Sequence, residues 1–157
     1  MKSKSKALII SLLISLGVGA LSGFLTKDSM KTFESLVKPA LSPPGFIFPI
    51  VWTLLFVLMG VSAYLVWTSD APRIQKQRAL AVYGVQLAIN FLWSIIFFNL
   101  DAYLFAFVWL LLLWLMIILM IYLFGKISRT AAYLQIPYLL WVSFAGYLNM
   151  AIYLLNK

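Results

Sequence analysis

The chain has 157 residues, 64% of them hydrophobic and only 10% charged, with a net charge of +8; that balance leaves no room for a water-soluble domain beside its apolar part. With no Cys and no His, it cannot form disulfides, do thiolate chemistry, build the usual zinc sites or ligate haem through imidazole. The 12 basic and 4 acidic residues leave five uncharged stretches, 7–26, 39–69, 79–100, 102–125 and 130–156, and each can supply the roughly 20 residues of helix that cross a hydrocarbon core about 30 Å thick.

The first span is expected at about 7–25 and contains Gly19-x-x-x-Gly23, a small-residue pair that lets two helices approach closely. The Lys2–Lys6 segment before it resembles the start of a signal peptide. Its uncharged run is longer than the usual 7–15-residue signal core, so an uncleaved helix is the favoured reading. Residues 26–45 form the longest polar connection and end in Pro39, Pro43, Pro44 and Gly45, which predicts a stiff, extended approach to the second span. That span covers about 46–67, with Pro49 in its first turn. A short basic loop leads to span three, about 79–98, and the tight turn at 99–102 makes span four, about 103–124, its antiparallel neighbour. Span five is expected at about 131–155, kinked at Pro137. Apolar character on all faces and the lack of strand-like alternation favour helices over a barrel. The expected fold is thus all-α, one membrane domain over 1–157 built as a five-transmembrane-helix bundle.

Eight of the twelve basic residues fall before span one, between spans two and three, or between spans four and five, which an odd number of spans places on one face. The positive-inside rule puts that face and the N-terminus in the cytoplasm, and the C-terminus outside. The charge is therefore read as orientation and contact with the lipid bilayer, not as a nucleic-acid site.

No ionisable group interrupts a span, which argues against ion pumping, and no His or paired acid is present for hydrolysis. Uncharged polar and aromatic residues do cluster. Gln86, Asn90 and Ser94 share a face of span three with Trp93 and Phe97; Tyr138, Trp141, Ala145 and Asn149 recur at helical spacing in span five; Trp52, Phe56, Met59, Gly60, Ala63 and Trp67 share a face of span two. These faces either join helices by hydrogen bonds and packing or converge on a cavity for a flat, mostly apolar ligand. Trp52, Trp93 and Trp141 are the candidates for stacking on such a ligand, whereas Trp67 and Trp109 suit an interfacial belt. Leu148, Tyr153 and Lys157 fit a loose sterol-motif pattern, although an interfacial Tyr–Lys anchor explains them more simply.

The chain resembles the translocator protein family, also called tryptophan-rich sensory proteins or peripheral-type benzodiazepine receptors. The resemblance runs through Lys38-Pro39-x-x-x-Pro43-Pro44-Gly45, Val51-Trp52-Thr53, Met59-Gly60, Gln86-Leu87-Ala88-x-Asn90-Phe91-Leu92-Trp93-Ser94, Ile127-Ser128-Arg129-x-Ala131-Ala132 and Pro137-Tyr138-Leu139-Leu140-Trp141, continuing to Asn149. It implies a five-helix bundle, commonly a homodimer, in a membrane such as the bacterial plasma membrane. It also implies a cavity that binds porphyrins and haem-related tetrapyrroles, isoquinoline carboxamides, benzodiazepines and in some members sterol. Phe33, Pro43 and Pro44 would form a lid, and Trp52, Asn90, Trp93, Tyr138, Trp141 and Ala145 the pocket. No cofactor is obligatory, porphyrin being the ligand, and no metal site is expected. Where members promote light-dependent porphyrin breakdown, paired tryptophans at Trp52 and Trp141 are implicated. The chain departs from the family at Leu41, where a Trp is usual, at Phe33, where an aromatic hydroxyl is frequent, and at Ile95, which stands where the family often has a proline. A tetrapyrrole-binding receptor or sensor is the favoured reading; a transporter, a porphyrin-degrading enzyme and a partner-binding scaffold are its rivals.

Overall fold

The computed structural model describes residues 2–157; Met1, the first residue of the expected domain, lies outside them. Seven helices follow in order: α1 (Lys2–Thr26), α2 (Met30–Ser35), α3 (Ile47–Trp67), α4 (Arg73–Ser94), α5 (Tyr103–Gly125), α6 (Arg129–Leu134) and α7 (Ile136–Asn156). There is no strand among the described residues. Five helical segments are long and apolar enough to cross a membrane, α6 and α7 together making the last. Around the bundle the order is α1, α3, α6–α7, α5 and α4, with α4 closing back on α1.

Three local features differ from the linear reading. The connection before α3 is not extended throughout, because a 3-10 turn (Lys27–Ser29) and α2 fold its first half. Pro137 does not kink the middle of a helix. It lies in the first turn of α7, where its missing N–H costs no bond, and the break falls just before, at Gln135. Helix α4 starts at Arg73, well before its apolar stretch, and ends in a π-helical turn (Ile95–Asn99) closed by Leu100 N–H to Ile95 O at 3.1 Å. The turn into α5 needs a left-handed residue, and Asp101 supplies it at φ 52°.

Close helix approach depends on small residues. A Cβ on Gly60 of α3 would meet Ser15 Oγ at 2.7 Å and the Leu12 Cα at 3.1 Å, so glycine alone allows α1 and α3 to touch there. The same contact is stitched by Ser11 Oγ donating to Gly60 O at 2.6 Å and Ser15 Oγ to Phe56 O at 2.8 Å. Gly19 of the Gly19-x-x-x-Gly23 pair packs inside the chain against Phe56, whereas a Cβ on Gly84 of α4 would meet nothing. On α3's other flank Ser62 Oγ donates to Ala131 O of α6 at 2.7 Å. Farther along, the α3 and α7 backbones stay apart and long aromatic side chains bridge the gap. Spans two and five thus meet at the end carrying the basic loops and diverge toward the other end, which opens a wedge inside the bundle.

Gly60→Ala is expected to destabilise the protein by about 1–3 kcal/mol through overpacking, read as a lower midpoint of thermal unfolding in detergent, whereas Gly84→Ala, whose added Cβ meets nothing within the chain, does not lower the midpoint.

Candidate functional site

The wedge holds a cavity of about 600 Å³ bounded by α1, α2, α3, the end of α4 and α7, within the 300–1,000 Å³ common for small-molecule pockets. Its wall is aromatic. Trp52 lies with its ring centroid 6.5 Å from both Trp93 and Trp141. The Trp52 and Trp141 planes stand at 88°, so a flat ligand can lie parallel to only one of them. Phe48, which helical spacing did not single out, sits 5.9 Å from Trp141 and 5.8 Å from Phe33; its only signal was an aromatic one residue before the Pro49 of α3's first turn.

Polar groups are few and mostly committed. Trp93 Nε1 donates to Asn149 Oδ1 at 3.1 Å, and Asn149 Nδ2 to Tyr103 O at 2.7 Å, which fixes that wall. Asn90 lines the cavity, and its Nδ2 donates to the Tyr138 hydroxyl at 2.8 Å, which in turn donates to Gln86 Oε1 at 2.6 Å. Tyr138, 1% exposed, therefore stands behind the wall, orienting Asn90 and not lining the cavity itself. Trp141 is different: its indole N–H is buried with no acceptor among the described residues. Lys27 at the rim is the one charged residue among those lining the cavity.

The expected site residues thus fall into groups. Phe33, Trp52, Asn90, Trp93, Trp141 and Ala145 all border the cavity. Pro43 and Pro44 do not; they shape the start of α3, where Pro44 O accepts from Ile47 N–H at 3.0 Å. Of the sterol pattern, Leu148 is buried and faces the cavity, while Tyr153 is half-buried and Lys157 exposed, so the three do not share one outward surface. On α1, Ala20 and Gly23 are exposed yet line the cavity, as do Pro49 and Thr53 on α3. The cavity therefore has a side opening between these two helices.

A lid closes one end. Phe33 on α2 is 5% exposed and packs on Phe48, Phe97 and Phe98 at 5.6–6.0 Å between centroids. Two asparagines hold the backbone on either side of it. Asn156 of α7 accepts from Val37 N–H at 3.0 Å and donates to Val37 O at 2.8 Å. Asn99 donates to Leu25 O at 3.0 Å and accepts from the Ser29 hydroxyl at 2.6 Å. The helix-widening π turn delivers Asn99 to this position.

Residues 10–155 match the TspO/MBR family. The chain is 39% identical to a tryptophan-rich protein TspO of Archaeoglobus fulgidus over 150 residues, covering 95% of this chain and 96% of that one. It is 37% identical to a tryptophan-rich protein TspO of Chlorobaculum tepidum over 96% of this chain and 94% of that one. Against the human translocator protein the identity is 33%, over 88% and 83% of the two chains. The chain belongs to the TspO/MBR family and is an integral membrane protein.

Replacing Asn156 by Ala removes both bonds to Val37. Amide hydrogen exchange across residues 30–38 is expected to rise about ten-fold, from roughly 1–1.5 kcal/mol of lost closure, with exchange in α5 unchanged.

Proposed function

We propose that this TspO/MBR-family protein is a membrane receptor or sensor that binds porphyrins and related tetrapyrroles in the cavity between its helices. The observation that carries the reading is an aromatic-walled space of about 600 Å³ with a basic residue at its rim. A tetrapyrrole is a broad apolar disc with carboxylates at one edge. Its face suits Trp52 or Trp141, with the other indole meeting its edge, an arrangement that the quadrupoles of aromatic rings favour. Its carboxylates suit Lys27. With no imidazole in the chain, selectivity falls on the macrocycle and not on its iron. Isoquinoline carboxamide and benzodiazepine-type ligands, flat and carbonyl-bearing, would use the same wall.

Among the described residues no carboxylate borders the cavity, which gives hydrolytic chemistry no support. We assign the face with most of the basic residues to the cytoplasmic side of a bacterial plasma membrane. Gly84 and Ala88, both exposed on α4, are the surface we assign to a homodimer.

Protoporphyrin titrated into purified protein is expected to quench tryptophan fluorescence saturably. Trp52→Phe/Trp141→Phe should weaken that site about ten-fold or more, from two aromatic contacts worth roughly 0.5–1.5 kcal/mol each. Quenching that does not saturate and is the same in both proteins would mean partition into the micelle. Lys27→Gln is expected to weaken protoporphyrin about two- to five-fold, as for an exposed charge pair, and to leave its dimethyl ester unaffected; an equal loss for both would remove Lys27 from carboxylate recognition.

A further inference from the structure

Lys38 does not border the cavity, yet its side chain is tied to the lid at three points. Its Nζ donates to Glu34 O at 2.8 Å and to Leu36 O at 3.4 Å, and it lies over the Phe33 ring, 5.1 Å from the centroid. Each point answers a need of the lid. Helix α2 has only six residues, too few to be stable alone, and its last carbonyls have no partner within the helix. Leu36 N–H covers Phe33 O at 3.1 Å and the Ser35 hydroxyl covers Thr32 O at 2.6 Å. The Lys38 ammonium covers Glu34 O and, just past the helix, Leu36 O. The Phe33 ring carries no hydroxyl, so the negative face of its π-system is the handle it offers a polar neighbour. An ammonium within about 6 Å of the centroid is attracted to that face.

The backbone aims the lysine at these targets. Val37, immediately before it, is pinned to α7 by the two Asn156 bonds. Pro39, immediately after it, disfavours helical backbone at Lys38, and the chain turns away at once, with Ser42 N–H donating to Pro39 O at 3.1 Å. Between a pinned residue and a turn, the side chain runs back along α2. It takes the backbone oxygen of Glu34, whose carboxylate lies beside Gly45 instead.

We propose that Lys38 is the latch of the lid, a positioning residue whose ammonium holds the end of α2 and the Phe33 ring together. One cation engages both the helix backbone and the plug that the helix carries, so neither leaves without the other losing a partner. Asn99 and Asn156 fix where the lid sits, and Lys38 keeps its plug turned into the cavity. The consequence for function rests on the ligand assignment above and is kinetic: Lys38 slows release of a bound tetrapyrrole through the lid.

Amide hydrogen exchange of the ligand-free protein tests the latch. Lys38→Met keeps the stem and removes the charge. Exchange across residues 31–36 is expected to rise about three- to five-fold, less than for Asn156→Ala, with α5 unchanged as evidence of an intact bundle. Lys38→Arg keeps a cation that stacks on aromatic faces and is expected to stay within about two-fold of wild type. Phe33→Leu removes the ring face, so in that background Lys38→Met is expected to act by a smaller factor. Unchanged exchange in Lys38→Met, no rescue by arginine, or the same factor with and without the ring would each overturn the proposal. Release of protoporphyrin, followed as recovery of tryptophan fluorescence, is expected to be about three- to five-fold faster in Lys38→Met. Faster lid exchange with unchanged release would overturn the kinetic role and send the ligand out through the side opening between α1 and α3. Failure of the ligand assignment reads differently: protoporphyrin would show no saturable site, and the exchange results would stand.

Discussion

The hydrocarbon core of a bilayer offers no water to a polar group, and lipid tails compete on equal terms with apolar side chains for every helix surface. Helices therefore hold together where backbones come close and where a side chain finds a partner on a neighbour. The contacts between spans follow this rule. Ser11, Ser15 and Ser62 each donate to a carbonyl of the adjacent span, Trp109 Nε1 donates to Ile89 O, and Gly60 lets α1 lie directly on α3. Single bonds of this kind are worth about 0.6 kcal/mol on average, so the bundle rests on their number and on close packing, not on any one of them.

The cavity follows from where those contacts stop. Spans two and five are joined at one end through Ser62 and α6. The break at Gln135 then starts a new helix on a different course. Beyond it α7 and α4 meet only through long side chains, Tyr138 to Gln86 and Asn90, and Trp93 to Asn149. Tyrosine and tryptophan span such a gap and still present an apolar face, which explains why the residues that fill the wedge are aromatic.

Much of this was legible in the residue order. Charge positions alone located five spans, because burying Lys or Asp in lipid is costly at any point along a helix. Helical spacing grouped Trp52, Asn90, Trp93, Trp141 and Ala145, and all five border one cavity. Spacing could not reveal which way a ring turns, so the right angle between Trp52 and Trp141 was out of reach. Nor could it separate Tyr138, which props the wall, from residues that line it, since both occupy the same helical face. The polar segment Arg73–Arg78 hid the true start of α4, because helix continues outside the core at little cost. The π turn at Ile95–Asn99 had no signal beyond a residue where relatives often carry proline.

The lid is built from two unequal parts. Its backbone is held by neutral amide bonds from Asn99 and Asn156 at exposed positions, each contributing about 0.5–1.5 kcal/mol net. Its side chain, Phe33, is buried against three other phenyl rings, and that burial contributes more than any one of those bonds, about 1.5–3 kcal/mol. The plug is therefore made of the same material as the flat aromatic ligand we propose for the cavity. A flat aromatic molecule arriving between Phe48 and Trp141 offers those rings what Phe33 offers them. Displacing Phe33 then exchanges one set of aromatic contacts for another, and the net cost of opening falls mainly on the asparagine bonds. If the cavity takes the aromatic ligand proposed for it, such a lid would stay shut against lipid tails, which cannot match ring-on-ring contact, and would yield to that ligand.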